Sequence, residues 1–202
     1  MRPAMLLALA ASTAGFALAG CGDPIAVPTA AAVDTTRMLA DLGSVVITST
    51  YAEMESRAVT LGQAAQTLAD DPTEPNLAAA RAAWRQARTP WEQSEGFLFG
   101  PVETDGFDPA LDTWPFNATD AQTLISSATP ITPEAVNALD GSLKGYHGVE
   151  YILFGTDGQR TAASLTDRDL EYLVAVTSEI RTSAGALRQQ WDPAGGDFAG
   201  QF

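Results

Sequence analysis

Cysteine, histidine and basic residues are scarce in this 202-residue chain, and each scarcity excludes a class of function. A single cysteine excludes an intrachain disulfide framework and any cysteine-rich zinc or iron–sulfur site. A single histidine excludes sites that need two or three imidazoles, including the HExxH motif of zinc proteases. Eleven basic residues against 25 acidic ones give a net charge of −14, which argues against a protein that neutralises the phosphates of duplex nucleic acid.

The first twenty residues have the pattern of an export signal. Arg2 precedes a small and apolar run from Ala4 to Ala19, and a run of roughly 16 residues is short for a helix that spans a membrane. The run ends in Leu18-Ala19-Gly20-Cys21, which resembles a bacterial lipobox. The resemblance implies cleavage before Cys21 and attachment of lipid to its sulfur. The alternative is an ordinary secretory signal with an incidental cysteine.

This pattern predicts three segments of very different lengths. We expect a lipoprotein signal peptide at 1–20, a short tether at 21–33 and one helical domain at 34–202. The lipid on Cys21 would then hold the acidic domain in the cell envelope, on the periplasmic side of a membrane. The outer membrane is a candidate for that membrane. We expect the membrane and a metal or small ligand as partners, and no nucleic acid.

Apolar residues recur at steps of three and four along most of the chain, which is the period of amphipathic helices. A β-prone patch at 45–48 would also support a strand, but the surrounding period favours helix. Pro90 should kink or divide the second predicted helix near Thr89. Four long helices and no sustained strand alternation predict an all-α fold, an up-and-down four-helix bundle. The predicted helices span 39–68, 76–99, 132–154 and 166–191, and 101–131 is predicted to be irregular except for a short helix at 120–126.

The third predicted helix carries Gly145-Tyr146-His147-Gly148-Val149-Glu150, which matches the GxHxxE signature of the imelysin family, also called M75 peptidase-like proteins. Two further blocks resemble that family in the same order, namely Trp84–Arg88 with Glu95 and Phe99-Gly100-Pro101, and Asp112-Thr113-Trp114-Pro115. The resemblance covers roughly residues 35–195.

Membership of this family implies an all-helical fold of two four-helix bundles and a location in the envelope. It also implies a metal-linked role, in iron acquisition or iron-regulated binding, with a peptidase assignment for some members. Family domains are usually much longer, so this chain corresponds to the N-terminal part of the two-bundle fold and resembles a short or truncated member.

His147 and Glu150 lie on one face of a helix because they are three residues apart. A neutral imidazole and a carboxylate can share one metal ion, or they can form a hydrogen-bonded pair that fixes the ring tautomer. The alternative is a core histidine that Glu150 merely satisfies. Gly145 and Gly148 flank the histidine, and two glycines inside a helix suggest that a neighbouring helix or a ligand approaches the backbone closely.

Glu95 is the third candidate metal ligand. The segments that begin at Glu95 and Glu150 share the form E-x-φ-L-F-G, where φ is apolar, so a pairing of the two helices would bring both carboxylates into one layer with His147. The alternative is that both segments are only similar helix ends. Arg88 falls on an inward-facing stripe, where its charge needs a partner such as Glu95, Glu150 or an anionic ligand.

One imidazole and several carboxylates suit a relatively hard cation, so ferric or ferrous iron, Mn²⁺ or Ca²⁺ fits better than a structural zinc. We expect a divalent or ferric ion, with iron favoured, or a metal-bearing ligand in metal uptake or handling. The alternatives are a metallopeptidase acting on exported proteins, for which the residues offer no evident general base, and a non-catalytic helical adaptor. Further candidate ligand contacts are Arg88, Asp105, Asp112 and Trp114, although some of the acidic loop residues are expected to be ordinary turn residues.

Overall fold

The computed structural model describes residues 33–201, and their regular secondary structure is entirely helical. This confirms the predicted all-α class. The signal peptide, Cys21 and all of the tether except Val33 lie outside the described residues, so those predictions stay as they are. The helices are α1 (Thr35–Asp41), a π-helix (Leu42–Ile47), α2 (Thr48–Asp70), α3 (Glu74–Ser94), α4 (Pro101–Thr104), α5 (Phe107–Asp112), α6 (Ala118–Ser126), α7 (Pro133–Asn137), α8 (Gly145–Phe154) and α9 (Asp167–Trp191), and the 3-10 turns are Glu95–Phe97, Gly141–Leu143, Ala162–Ser164 and Phe198–Gln201.

Four of these helices form the bundle. α2 packs along both α3 and α9, and the shorter α8 packs against α3 and α9. The short helices α4 to α7 occupy the connection between α3 and α8. No helix among the described residues is both long enough and apolar enough to cross a membrane.

The long helices form where the sequence keeps one apolar period over many residues. In α2 the buried side chains recur at steps of three and four, as the helical stripe predicted. The β-prone patch at 45–48 lies in the π-helix and the first residue of α2, so the helical interpretation is confirmed there. Large aromatic side chains fill the centre of the bundle, and the fully buried ones are Trp91, Trp191, Tyr51, Tyr146 and Tyr172.

α9 begins at Asp167, one residue after the predicted start at 166, with Thr166 as its N-cap. The Thr166 side chain accepts a hydrogen bond from the Asp169 amide at 3.1 Å, and the Asp169 carboxylate accepts one from the Thr166 amide at 2.9 Å. This reciprocal capping box satisfies two backbone donors that the first turn leaves free. Pro90 does not divide α3, because the helix runs unbroken from Glu74 to Ser94 with the Pro90 ring buried in the core.

Two predictions about the middle of the chain were wrong. The predicted irregular stretch at 101–131 contains two short helices that were not predicted, α4 and α5, besides α6, which confirms the short helix predicted at 120–126. The predicted third helix at 132–154 is divided into α7, a 3-10 turn and α8. The division has a local cause, because Lys144 is extended and Gly145 has a φ of +70°, and neither conformation continues an α-helix.

Candidate functional site

His147 lies in the first turn of α8, and two glycines allow α8 to pack closely there. A Cβ at Gly145 would lie 2.2 Å from the carbonyl oxygen of Leu111, at the end of α5. A Cβ at Gly148 would lie 2.8 Å from the Tyr172 hydroxyl of α9. Protein groups, not a ligand, therefore account for the close approach that the two glycines predicted.

The His147 ring lies between two carboxylates. Its Nδ1 is 2.9 Å from Oε2 of Glu150, and its Nε2 is 3.2 Å from Oδ1 of Asp112. The hydrogen bond to Asp112 raises the pKa of His147 above its usual value, the hydrogen bond to Glu150 adds to this, and partial burial opposes both. The imidazolium form can donate a hydrogen bond to each carboxylate, so the pairing favours a protonated ring.

Asp112 is the centre of the polar cluster. The indole Nε1 of Trp91 donates a hydrogen bond to its Oδ2 at 2.7 Å, and the Arg88 guanidinium pairs with its Oδ1 and with Glu92. Only 12% of the Asp112 side chain is exposed. Burial alone would favour the neutral acid, but the hydrogen bonds from His147 and Trp91 and the charge of Arg88 outweigh burial and lower the pKa of Asp112.

A pocket of about 540 Å³ opens beside this cluster. His147 and Glu150 lie among its lining residues, and the 71% exposed indole of Trp114 has its ring centroid 4.8 Å from that of His147. The site therefore combines a paired imidazole and carboxylate with an aromatic wall that solvent can reach. The aromatic members of that wall are Trp114, Phe116, Tyr151 and Phe154.

The structure brings together some of the predicted site residues and separates others. His147, Glu150, Asp112 and Arg88 form one cluster, and the Trp114 ring contacts the His147 ring at a tilt of 55°. Glu95 lies exposed in the 3-10 turn after α3. Asp105 lies exposed at the end of α4, where it accepts a hydrogen bond from Thr104, and neither acid lines the pocket. Within residues 33–201, no group of three or more His, Cys, Asp or Glu side chains is arranged to hold a metal ion. The role predicted for Glu95 as third ligand therefore gains no support from the geometry.

Comparison with known proteins places this helical body in a family. The family model described as Imelysin, Peptidase_M75, matches residues 47–202, which is most of the chain. The chain belongs to the imelysin family. A curated relative, iron-regulated protein A of Synechococcus elongatus, is 39% identical over 149 residues. This match covers 74% of the present chain and 38% of the relative.

Two solved structures share the imelysin fold with this chain. A structure from Parabacteroides distasonis, described as an iron-regulated protein A precursor, aligns with a TM-score of 0.67 at 28% identity and covers 76% of this chain and 44% of its own. An imelysin-like protein from Psychrobacter arcticum aligns with a TM-score of 0.68 at 19% identity, and the alignment covers 77% and 49% of the two chains. The present imelysin therefore spans less than half the length of each of these relatives.

The sequence interpretation missed four residues that contribute to the site of this chain. Trp91 is not among the predicted site residues, yet its indole nitrogen donates a hydrogen bond to Asp112. Glu92 pairs with Arg88, and the spacing of four residues on one helix could have revealed this pair. Phe116 and Tyr151 face each other across the pocket wall with ring centroids 5.3 Å apart, and no local pattern marks this contact.

Proposed function

We propose that this chain binds iron in the form of a small-molecule complex, in the pocket beside His147 and Glu150, as part of iron handling in the cell envelope. The observation that carries this proposal is the 2.9 Å pairing of His147 Nδ1 with the Glu150 carboxylate at an open, aromatic-walled pocket. The imidazole nitrogen and the carboxylate are both ligands that iron accepts.

The contact of His147 with Asp112 supports a binding role for the other ring nitrogen. A metal-binding histidine usually donates its second N–H to a carboxylate, which fixes the ring orientation and raises its basicity. Asp112 occupies this position at Nε2, which leaves Nδ1 beside Glu150 and toward the pocket. Loss of the Nδ1 proton would therefore convert a hydrogen-bonded pair into two neighbouring metal donors.

The number of donors favours a metal that arrives with its own ligands. Two protein donors would leave most positions of an octahedral ion unfilled, and no third acid or imidazole among the described residues is arranged with His147 and Glu150 to hold a metal ion. A small chelator would fill those positions, and its organic part would contact the aromatic wall. With His147 neutral, the cluster holds one guanidinium against the three carboxylates of Asp112, Glu92 and Glu150, so an uncharged or cationic complex fits better than an anionic one.

Two further observations agree with an iron-linked envelope role. The curated relative and one solved relative carry the description iron-regulated protein A, which links these proteins to iron. The lipobox-like Leu18-Ala19-Gly20-Cys21 supports export and a lipid anchor on the periplasmic side of a membrane.

Ferric nitrilotriacetate is a suitable probe, because the chelator supplies four donors, the complex is uncharged and two positions stay open. We expect calorimetry and quenching of tryptophan fluorescence, to which the exposed Trp114 beside the pocket contributes, to detect its binding, with iron-free nitrilotriacetate and free Mn²⁺ binding far more weakly. His147→Gln and Glu150→Gln should each weaken binding at least about tenfold.

Glu95→Gln is the matched control, because Glu95 is an exposed acid outside the pocket, and its binding should equal that of the wild type. Equal affinity in all four proteins, or no binding to the wild type, would remove the proposal. Cleavage of an unfolded substrate that a chelator stops and Glu150→Gln abolishes would instead support a metallopeptidase.

A further inference from the structure

The first helical turns of the described chain carry an apolar surface that the core does not use. Met38 and Leu39 of α1 and Val45 and Val46 of the π-helix are 53%, 39%, 61% and 48% exposed. In the whole segment from Thr35 to Ile47, only Gly43 and Ile47 are buried. These four aliphatic side chains therefore face away from the bundle.

Three of these exposed residues lie on one groove. Met38, Val45 and Val46 line a shallow groove of about 600 Å³ together with Leu42, which is partly buried against the core. Asp34, Arg37 and Asp41 also line this groove, so the groove holds two acids and one base. We call the four apolar residues of the groove, namely Met38, Leu42, Val45 and Val46, the Met38–Val46 stripe.

We infer that the Met38–Val46 stripe inserts into the surface of the membrane to which the lipid on Cys21 holds the chain. This inference rests on the lipid anchor included in the proposed function. Thr35 follows Cys21 by 14 residues, so α1 can start no farther than about 50 Å from the lipidated sulfur, however the intervening residues are arranged. The stripe begins three residues later, at Met38, so it is the exposed apolar surface of the described residues that follows the anchor most closely in the sequence.

The composition of the stripe and its groove indicates whether the contact with the membrane depends on lipid charge or on apolar insertion. Anionic lipid attracts clusters of Lys and Arg, whereas the groove holds one Arg against two Asp. Insertion of aliphatic side chains needs no charge and strengthens an anchor that already places the protein at the surface. The contact should therefore be insensitive to salt and to the charge of the lipid headgroups.

A second copy of the chain is the competing occupant, and the size of the stripe argues against it. A stable protein–protein interface takes about 800 Å² from each partner. Three aliphatic side chains that are roughly half exposed, with the partly buried Leu42, supply much less than this area. A bilayer sets no such minimum, because the lipid anchor already holds the two surfaces together.

Fluorescence from single-cysteine variants of the full lipidated chain tests the inference. Cys21 is the only native cysteine, so once it is lipidated a cysteine introduced elsewhere is the sole free thiol. Val46→Cys places an environment-sensitive dye on the stripe. Val59→Cys is the matched control, because Val59 is another exposed valine of the same helical run, about 20 Å farther along the axis. Mass spectrometry of the purified chain verifies the lipid on Cys21.

In phosphatidylcholine vesicles that contain a brominated lipid, we expect the dye at position 46 to shift to the blue and to be quenched at least threefold more than the dye at position 59. High salt and added phosphatidylglycerol should not change this difference, whereas a further Met38→Asp change should abolish it. Equal quenching at the two positions, an unlipidated Cys21, or energy transfer between dyes on separate copies in detergent would each overturn the inference. Ferric nitrilotriacetate binding by the same preparations reports on the pocket separately, so failure of one proposal is distinguishable from failure of the other.

Discussion

The change of Asp112 to asparagine tests the physical organisation of the site most directly, because three donors converge on this carboxylate. Trp91 donates to Oδ2, and Arg88 and His147 meet Oδ1. Asparagine keeps the shape of the side chain but removes its charge and offers a single acceptor oxygen. We expect Asp112→Asn to lower both the pKa of His147 and the free energy of unfolding.

The magnitude follows from the contacts that are lost. A hydrogen bond to a charged group contributes about 1.5–3 kcal/mol, and Arg88 keeps Glu92 as a partner, so we expect a total loss of about 2–4 kcal/mol in acid. The contribution of His147 has a definite pH dependence. Because its pKa is raised in the folded state, its stabilisation is fully present below the ordinary histidine pKa of about 6.5 and is lost as pH rises through the folded pKa. The difference between the two proteins should therefore shrink toward alkaline pH.

Proton NMR measures the first effect without resonance assignment, because His147 is the only histidine of the chain. The pKa of His147 should be highest in the wild type, lower in Glu150→Gln and lowest in Asp112→Asn, since the hydrogen bond that His147 donates to Asp112 is the largest cause of the shift. Urea unfolding at pH 5.5 and pH 9 measures the second effect. An unchanged pKa in Asp112→Asn, or a stability difference as large at pH 9 as at pH 5.5, would refute the reasoning.

Three further changes should alter stability in urea unfolding. Gly145→Ala should lower the free energy of unfolding by about 2–4 kcal/mol, because it forces a Cβ against the carbonyl of Leu111 at a positive φ. Gly62→Ala is the control, because the space around Gly62 is open, and it should raise the free energy of unfolding by up to about 1 kcal/mol. Equal effects of the two changes would contradict this reasoning. Glu179 is buried with one carboxylate oxygen unpaired, and burial raises its pKa, so the wild type should lose stability as pH rises above about 4.5. Glu179→Gln should flatten that loss, and an unchanged pH profile would argue against it. Thr166→Ala should lower the free energy of unfolding by about 1 kcal/mol, because α9 loses its N-cap hydrogen bond. An unchanged free energy of unfolding would show that the cap does not stabilise the protein.

The long helices could be predicted from the sequence because their signals are local and repeated. The stripe of α2 and the span of α9, predicted as 166–191, are each encoded within a few turns of chain, and each was confirmed. The contact between His147 and Glu150 is also local, because a spacing of three residues on a helix brings side chains together. Such features need no knowledge of which helix packs against which.

The remaining features depend on contacts between distant parts of the chain. The break between α7 and α8 follows from the backbone at Gly145, and the close approach of Leu111 that only glycine permits there has no signature in the sequence around it. The similarity of the segments that begin at Glu95 and Glu150 carries no information about how the helices pack. It therefore could not predict whether the two carboxylates lie close together in the fold. The role of Asp112 is likewise defined by residues distant in the chain, since Trp91, Arg88 and His147 lie 21, 24 and 35 positions away from it.

The pairing of His147 with two carboxylates also constrains how the proposed ligand could bind. A proton on Nδ1 and a metal at the same nitrogen exclude each other, so binding must release the proton that the two carboxylates stabilise. The same contacts that raise the pKa of His147 therefore set the pH below which Nδ1 binds a proton in preference to the metal. Asp112 acts in both states, because it holds the Nε2 side of the ring whether Nδ1 carries a proton or a metal. A site of this design would bind its ligand more tightly as pH rises through the folded pKa of His147, and Glu150 would exchange a hydrogen bond for a metal bond without moving to a new partner residue.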